Sequence, residues 1–267
     1  MVERIARLAG ADPRVEVGIG DDAAVLSGGL VLSTDMHVEG VHFRRDRLGP
    51  AEIGARAAAA NLSDLAAMGA EPLCLLLSLG VPPGFDDLDA LVEGVAVHEV
   101  VLAGGDLSRA ESLVLSITAV GTAVRPVLRS GGRPGDRLIV TGPLGAQAAS
   151  GYTAPIVPRL AEGAELVGLA TAMIDLSDGI ATDLRRLAAA SGCGARVELS
   201  DLPVAGGATQ EQAACGGEDH ELLAAVPAGA ALPEWAIVVG TLTEGDAVSF
   251  LDASGRPRDL HGYDHFA

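Results

Sequence analysis

Short carboxylate side chains stand at the ends of several apolar runs in this sequence. Asp is short, so the backbone determines where its oxygen atoms lie, and Mg²⁺ prefers rigidly held oxygen ligands in octahedral geometry. The ends of strands and the starts of helices in an α/β sheet converge on one edge, where ligands bind. The pattern therefore predicts a site for divalent cations. Its candidate carboxylates are Asp21, Asp22, Asp35, Asp64, Asp106, Asp175 and Asp178.

Each of these carboxylates also has an ordinary structural explanation, because Asp next to Gly is common in turns. Asp64 is different, since it lies within a predicted helix, where Asp has a poor intrinsic propensity. It shares a helix face with Ala57, Asn61 and Met68, and we expect that face to be packed. A carboxylate in such a place is costly unless it is paired or bound to a metal ion. We therefore interpret Asp64 as a functional residue.

The basic residues restrict how this protein can bind phosphate. All 18 of them are Arg, because the sequence contains no Lys. This excludes a Walker A lysine, the strand lysine of protein kinases and Schiff-base chemistry. Arg129 lies among Gly-rich turns and is either a phosphate contact or a solvated surface charge. Ser177 and Asp178 precede a predicted helix, so they cap its first turn, bind phosphate there, or do both.

The net charge of −18 indicates which partners the protein does not have. Nucleic acid and anionic membrane surfaces both require basic residues, so we expect neither as a partner. No apolar run reaches about 20 residues without a charge, Gly or Pro, and no membrane span is expected. The cysteines fit no zinc or redox spacing, and the first residues lack the apolar stretch of a signal peptide. We therefore expect a cytoplasmic protein.

Short apolar runs bounded by Gly, Pro or charged residues predict the secondary structure. The predicted strands are Leu30–Thr34, Leu73–Leu79, Leu113–Gly121, Leu138–Thr141, Ala195–Leu199, Leu222–Val226 and Ala236–Leu242. The clearest helical patterns are Ala51–Met68, Asp87–Val97 and Asp183–Ala190. Strands that alternate with helices indicate an α/β or α+β fold. A stretch rich in Gly, Pro and Arg at residues 125–136 predicts two domains, residues 1–124 and 125–267.

Eight motifs along the chain resemble those of one enzyme family. They are GIGDDAAV (18–25), STD and EGVHF (33–35 and 39–43), NLSDLAAMGA (61–70), GGD (104–106), RSGGRPGD (129–136), IDLSDG (174–179), GGEDHELL (216–223) and GYDHF (262–266). Their order is similar to that of the thiamine-monophosphate kinase family, within the aminoimidazole ribonucleotide synthetase superfamily. The resemblance implies an N-terminal domain whose mixed sheet pairs with that of a second subunit in a barrel-like dimer core. It also implies a C-terminal α/β domain, with ATP, several Mg²⁺ ions and the substrate in the cleft.

The resemblance further implies a role for each motif residue. The implied metal ligands are Asp22, Ser33, Thr34, Asp35, Asp64, Asp106, Asp175 and Asp178. The implied ATP contacts are Gly105, Asp106, Arg129 and Ser177, and the implied contacts to thiamine monophosphate are His42, Glu218 and Tyr263. Asp64, Asp106 and Asp178 would be the catalytic residues.

Two groups of His and aromatic residues are compatible with a cationic, flat substrate. The chain has only seven aromatic residues, yet Phe43 follows His42 and Tyr263 is close to His265 and Phe266. A thiazolium ring suits an aromatic face and a carboxylate such as Glu218. The alternative for the C-terminal group is a docked tail. The sequence departs from the family in two ways: His220 replaces the usual Tyr, and residues 142–173 and 203–215 are shorter than expected.

The expected reaction is direct, in-line transfer of the γ-phosphoryl group of ATP to thiamine monophosphate. One alternative is another ATP-dependent enzyme of the superfamily, either a purine-pathway synthetase or a selenophosphate synthetase. The first cysteine, Cys74, lies within an apolar strand and counts against the selenophosphate enzymes, which carry a reactive residue near the N-terminus. The other alternative is a paralogue that binds a nucleotide or thiamine ester without turnover.

Overall fold

The structure is a computed structural model that describes residues 2–264. Within this part of the chain there are two β-sheets and seven α-helices. The helices are α1 Val2–Leu8, α2 Pro50–Ala67, α3 Leu88–Ala96, α4 Ala146–Ser150, α5 Leu160–Leu166, α6 Ile180–Ser191 and α7 Gln210–Cys215. The strands are β1 Val15–Val17, β2 Ala24–Leu26, β3 Leu30–Val38, β4 Glu71–Val81, β5 Leu102–Arg109, β6 Val114–Thr122, β7 Arg137–Val140, β8 Ala172–Asp175, β9 Gly194–Glu198, β10 Leu222–Val226, β11 Ile237–Thr243, β12 Val248–Leu251 and β13 Pro257–Arg258.

The first sheet has six strands in the order β1-β2-β3-β6-β4-β5. Only β4 and β5 pair in parallel, and the other neighbours are antiparallel. Alternate side chains of β3, β4 and β6 are buried, among them Val31, Leu77 and Ile117. They form one hydrophobic core with helices α2 and α3. The opposite face of the sheet carries no helix within the described residues, so it is more exposed.

The second sheet has seven strands in the order β13-β12-β9-β11-β7-β10-β8. Here only β9 and β12 are parallel. One face packs against α6 and α7 in a core that includes Leu184 and Phe250. The other face contributes Ile139 and Leu222 to a smaller core, which also contains Ala66 and Ala67 of α2. Helix α2 therefore lies between the two sheets and packs against both.

The sequence of α2 explains its ends and its central position. The Glu52 carboxylate accepts the Gly49 N–H at 2.7 Å, which caps the first turn. Gly69 has φ of 61°, and the helix closes when the Ala70 N–H donates to the Leu65 carbonyl at 2.9 Å. Ala and Gly allow close approach, and a Cβ atom at Gly163 of α5 would lie 2.2 Å from an α2 carbonyl. Small residues thus let α2 serve as the middle layer.

The predicted α/β fold is confirmed, and strands occur at all seven predicted places. The three clearest predicted helices are also present, with ends that shift by a few residues. Sequence reasoning missed six strands, β1, β2, β5, β8, β12 and β13. Strand β5 is a Gly-rich, solvent-exposed edge strand without an apolar pattern, and the other five have only two to four residues each. The chain leaves the first sheet at Thr122 and enters the second sheet at Arg137. The domain boundary at residue 124 stays a prediction. Neither sheet closes into a barrel within residues 2–264.

Candidate active site

A cavity of about 770 Å³ lies where the two halves of the structure meet. Its lining from the first half includes the turn before β2, the middle of β3 and two residues of α2, Ala60 and Asp64. Its lining from the second half includes the β8–α6 turn, the segment before β10 and Tyr263 near the end of the described chain. Seven motif segments therefore meet in one place, although they are far apart in the sequence.

Three carboxylates form the most acidic part of this cavity. Asp22 precedes β2, Asp64 lies on the inner face of α2, and Asp175 is the last residue of β8. One oxygen from each lies within 4.8 Å of the others. Asp22 Oδ2 is buried and has no hydrogen-bond partner among the described residues. Such a set of rigidly held oxygens fits a hard divalent cation such as Mg²⁺.

Burial and mutual repulsion make this cluster unfavourable when all three groups are charged. Burial raises the pKa of Asp22 to about 7, against the opposing effect of the Arg129 charge. Burial also raises the pKa of Asp64 well above its usual value, and the charges of Asp35, Asp175 and Asp22 raise it further. A bound cation would remove both penalties, because it restores a favourable environment for the ionised oxygens. The raised pKa values and the set of oxygen ligands therefore both favour a cation site at this cluster.

The neighbouring residues fix these carboxylates in place. The Ser33 hydroxyl donates to Asp64, which joins β3 to α2. Asn61, fully buried and one turn before Asp64, accepts the Asp35 N–H at 3.0 Å. Thr34 also lines the cavity, but its hydroxyl donates to the Ile117 carbonyl at 3.1 Å within the sheet. Ser33, Thr34 and Asp35, which are consecutive in β3, are thus each held by a different hydrogen bond.

Arg129 and Ser177 line the cavity next to the acidic cluster. Arg129 Nη2 pairs with Asp22 at 2.6 Å. Burial alone would lower the pKa of Arg129, but the carboxylates around it raise the pKa above its usual value. Asp178 pairs with Arg186 at 2.6 Å, and its backbone N–H donates to buried Asp183 at 2.9 Å. These arginines place positive charge beside the carboxylates, where an anionic ligand would otherwise be repelled.

Gly105 and Asp106 do not line the cavity of the chain described here. Asp106 lies on edge strand β5 in a row with Ser78, Ser116 and Met36, on the face of the sheet opposite α2. Three strand spacings separate β5 from β3, which is about 14 Å. Gly105 has a structural role as well, because a Cβ atom there would lie 1.8 Å from the Leu77 carbonyl oxygen. Their assigned roles with metal and ATP therefore stay a prediction.

His42, Glu218 and Tyr263 all line the cavity. His42 Nδ1 accepts the Val38 N–H at 3.1 Å, which fixes the ring orientation. Glu218 has φ of 63°, unusual for a residue with a side chain. The Tyr263 N–H donates to the Asp178 carbonyl at 2.9 Å, which holds the C-terminal segment against the β8–α6 turn. His265 and Phe266, from the same motif, lie outside the described residues.

Sequence reasoning missed three further residues of this region. Tyr152 lines the cavity with φ of 66°, and burial together with the Glu218 charge raises the pKa of its phenol. His37 also lines the cavity, and its ring centre is 5.5 Å from that of His42. Arg56 is buried behind the cavity and pairs with Glu218 at 2.5 Å. Arg56 could have been found, because it is the only Arg in an Ala-rich helix.

His220, which replaces the usual Tyr of the family, is buried beside the acidic cluster. Its Nδ1 lies 3.0 Å from Asp175 Oδ2. Burial alone would lower the pKa of His220, but the hydrogen bond to Asp175 raises it above its usual value. His220 therefore contacts a carboxylate of the cluster directly.

The two halves of the chain define its class. Residues 20–123 match the family model of the AIR synthase related protein, N-terminal domain, and residues 152–252 match the model of its C-terminal domain. Two structures of the hydrogenase maturation protein HypE, at 20% identity and TM-scores of 0.79 and 0.71, share the fold. The chain is thus a two-domain protein of the AIR synthase related class.

More similar relatives narrow this class to one family. The chain is 38% identical to thiamine-monophosphate kinase of Rhodopirellula baltica, over 85% of this chain and 82% of that protein. It is 37% identical to the Escherichia coli K12 enzyme of the same name, over 95% and 93%. A solved structure, AaThiL complexed with AMPPCP and TMP, has a TM-score of 0.89 at 28% identity and covers 99% of this chain and 95% of that chain. This chain belongs to the thiamine-monophosphate kinase family.

Proposed function

We propose that this protein transfers the γ-phosphoryl group of ATP to thiamine monophosphate, which gives ADP and thiamine diphosphate. The observation that carries the proposal is the meeting of Asp22, Asp64 and Asp175 in one cavity with His42 and Glu218. An enzyme that binds two phosphorylated molecules side by side needs a cation-binding cluster. It also needs a set of side chains for the second ligand. A relative of the same fold is described with AMPPCP and TMP.

Mg²⁺ is the proposed metal, because the cluster offers only oxygen ligands and one of its buried oxygens has no partner among the described residues. Asp22, Asp64 and Asp175 would hold it, with Asp35 and Ser33 as neighbouring donors. When bound, Mg²⁺ neutralises charge that develops on the transferred phosphoryl group. The chain has no Lys to do this.

The protein side chains bind and orient the two substrates. Arg129 lies beside Asp22 and has the planar fork that suits a phosphate group. Ser177 and the backbone of the β8–α6 turn lie on the same side of the cavity and would contact ATP. His42, Glu218 and Tyr263 would contact thiamine monophosphate, with Glu218 near its cationic ring. Phosphoryl transfer depends mostly on positioning and electrostatics, so we propose direct in-line transfer without a phosphoenzyme.

A homodimer would account for Gly105 and Asp106, which the single cavity leaves out. The face of the first sheet opposite α2 exposes Met36 by 57% and Leu76 by 40%, and Asp106 lies on the same face. Exposed apolar side chains on one sheet face suit a protein contact. We propose that two copies pair through this face, and that Gly105 and Asp106 act in such a dimer.

A cytoplasmic location is proposed from the state of the cysteines. The three cysteines are unpaired in the described structure, which suits a reducing compartment. No helix of residues 2–264 is both long and apolar enough to cross a lipid bilayer.

The test is ADP release measured with Mg²⁺–ATP and three acceptors under identical conditions. The acceptors are thiamine monophosphate, free thiamine and formylglycinamidine ribonucleotide. We expect turnover to be fastest with thiamine monophosphate and to stop when EDTA removes the metal. Faster turnover of the purine precursor would assign the protein to another branch of the class. Tight binding of both substrates without ADP release would indicate a non-catalytic paralogue.

A further inference from the structure

Arg56 is a buried cation that no part of the proposed chemistry uses. It lies on α2, two helical turns before Asp64, and is only 5% exposed. A buried charge is retained only where it is paired and hydrogen-bonded. Arg56 does not line the cavity in the described structure, but its partner Glu218 does.

The guanidinium of Arg56 contacts two separate segments of the second half of the chain. Nη2 donates to Glu218 Oε2 at 2.5 Å. Nη1 donates to Gln147 Oε1 at 3.0 Å and to the Ala154 carbonyl at 2.7 Å. Gln147 Nε2 also donates to the Ala154 carbonyl, at 2.9 Å. One side chain of α2 therefore holds the Glu218 segment and the turn of residues 151–154 together.

Both of these segments have backbone conformations that need support. Glu218 has φ of 63° and Tyr152 has φ of 66°. Non-glycine residues adopt this left-handed region at a cost, and they remain there when the surrounding contacts determine it. Glu218 and Tyr152 are also cavity-lining residues on the substrate side. The contacts of Arg56 thus fall on the two strained segments that shape this side of the cavity.

We propose that Arg56 is a positioning residue for the second substrate, and this inference rests on the proposed function. Arg56 orients the Glu218 carboxylate and fixes the turn that carries Tyr152, so the pocket for thiamine monophosphate is formed before the substrate binds. Among the described residues, the hydrogen bonds of the Arg56 side chain go to Gln147, Ala154 and Glu218, and none goes to Arg129 or Ser177 on the ATP side. A loss of Arg56 is therefore expected to affect one substrate and not the other.

The first experiment compares Arg56→Met and Arg56→Lys with the wild-type enzyme. We expect Arg56→Met to raise the KM for thiamine monophosphate about tenfold or more, the range for a lost hydrogen bond to a charged group. The KM for ATP should stay within about twofold. Arg56→Lys should be intermediate, because Lys supplies the charge but not the fork that reaches both segments.

A matched control is available in Arg159, which pairs with Glu221 at 2.5 Å in the second half of the chain. Neither residue lines the cavity within the described chain. Arg159→Met should lower the free energy of unfolding without separating the two KM values. Equal effects of Arg56→Met and Arg159→Met on both substrates would show that Arg56 is only structural, and would overturn the proposal.

A second measurement tests whether Arg56 acts through Glu218. The Arg56→Met change should raise the KM for thiamine monophosphate by a smaller factor in a Glu218→Gln background than in the wild type, since only its hold on the turn of residues 151–154 is then lost. Multiplicative effects of the two changes would contradict the proposal.

Hydrogen exchange separates a failure of this inference from a failure of the proposed function, because it requires no substrate. Amides of residues 151–154 should exchange faster in Arg56→Met than in Arg159→Met. If the wild-type enzyme does not accept thiamine monophosphate, faster exchange still supports a positioning role. Unchanged exchange in Arg56→Met refutes that role whatever the substrate is.

Discussion

Replacing Asp64 by Asn should stabilise the metal-free protein while it abolishes the response to Mg²⁺. The side chains have the same shape, and Asn keeps an oxygen that can accept the hydrogen bond from Ser33. The substitution removes one of three charges whose oxygens lie within 4.8 Å of each other. A residue retained for the fold would instead destabilise the protein when changed.

The magnitude follows from the distance between these oxygens. Two charges 4.8 Å apart repel by about 3 kcal/mol at an effective dielectric constant of about 20. Asp64 has two such neighbours, but its own pKa is raised well above the usual value, and the fraction of Asp64 that binds a proton relieves part of the repulsion. We therefore expect Asp64→Asn to raise the metal-free free energy of unfolding by about 3 kcal/mol at pH 8.

The pH dependence has a definite sign because the carboxyl pKa values are raised in the folded protein. The folded state binds more protons than the unfolded chain between the ordinary Asp pKa of about 3.9 and the Asp22 pKa of about 7. The contribution of these carboxyls to stability is complete below about pH 4 and is lost as the pH rises through about 7. The gain in the free energy of unfolding from Asp64→Asn should accordingly fall below about 1 kcal/mol at pH 5.

The assay is urea unfolding followed by circular dichroism, with EDTA or with Mg²⁺, at pH 5 and pH 8. Wild-type protein should gain about 2.7 kcal/mol from Mg²⁺ at 100 times its Kd, and Asp64→Asn should gain little. Asp136→Asn is the control, because Asp136 is buried at 6% exposure and accepts the Thr171 hydroxyl at 2.6 Å outside the site. It should lose stability at both pH values and keep the full gain from Mg²⁺. If Asp64→Asn is less stable than the wild type without metal at pH 8 and still gains stability from Mg²⁺, the assignment of the cluster as a Mg²⁺ site is wrong.

Three other predictions concern the nucleotide, the reaction and the assembly. Arg129→Met should raise the KM for ATP about tenfold or more, because a charged contact to phosphate is lost, and should leave the KM for thiamine monophosphate nearly unchanged. Steady-state kinetics with each substrate varied in turn tests this prediction. An increase in the KM for thiamine monophosphate alone would contradict it. Incubation with γ-labelled ATP in the absence of acceptor should leave the protein unlabelled, and a trapped phosphoprotein would exclude direct transfer. Light scattering at micromolar concentration should report a dimer for the wild-type protein. Met36→Asp should dissociate this dimer, because the change places a carboxylate on the exposed sheet face. A monomeric wild-type protein would refute the proposed interface.

The parts of the fold that the sequence predicted are those with a local signal. Each predicted strand is a short apolar run, and α2 has Pro50 at its start and Gly69 at its end. Asp64 was identified because a carboxylate on a packed helix face is costly, and it does lie in the acidic cluster. Asp22 and Asp175 were identified as members of motifs, but their closeness to each other depends on how the two halves pack.

Other parts of the site have no local signal in the sequence. Arg56 and Glu218 are 162 positions apart, and nothing near either residue indicates the other. Strand β5 has polar and Gly residues at a sheet edge, so no periodic pattern marks it. The placement of Asp106 opposite α2 depends on strand order, which motif spacing does not determine.

The position of α2 between two sheets has a consequence for how this protein can vary. Most helices have a solvent face on which substitutions are tolerated, but 13 of the 18 residues of α2 are buried. An added methyl group would meet a sheet or a neighbouring helix, and a Cβ atom at Gly54 would already lie 2.1 Å from the Leu91 carbonyl of α3. We expect a mutational scan to find α2 the least tolerant helix of the described chain, with enlarged Ala residues as poorly accepted as changes to Asp64.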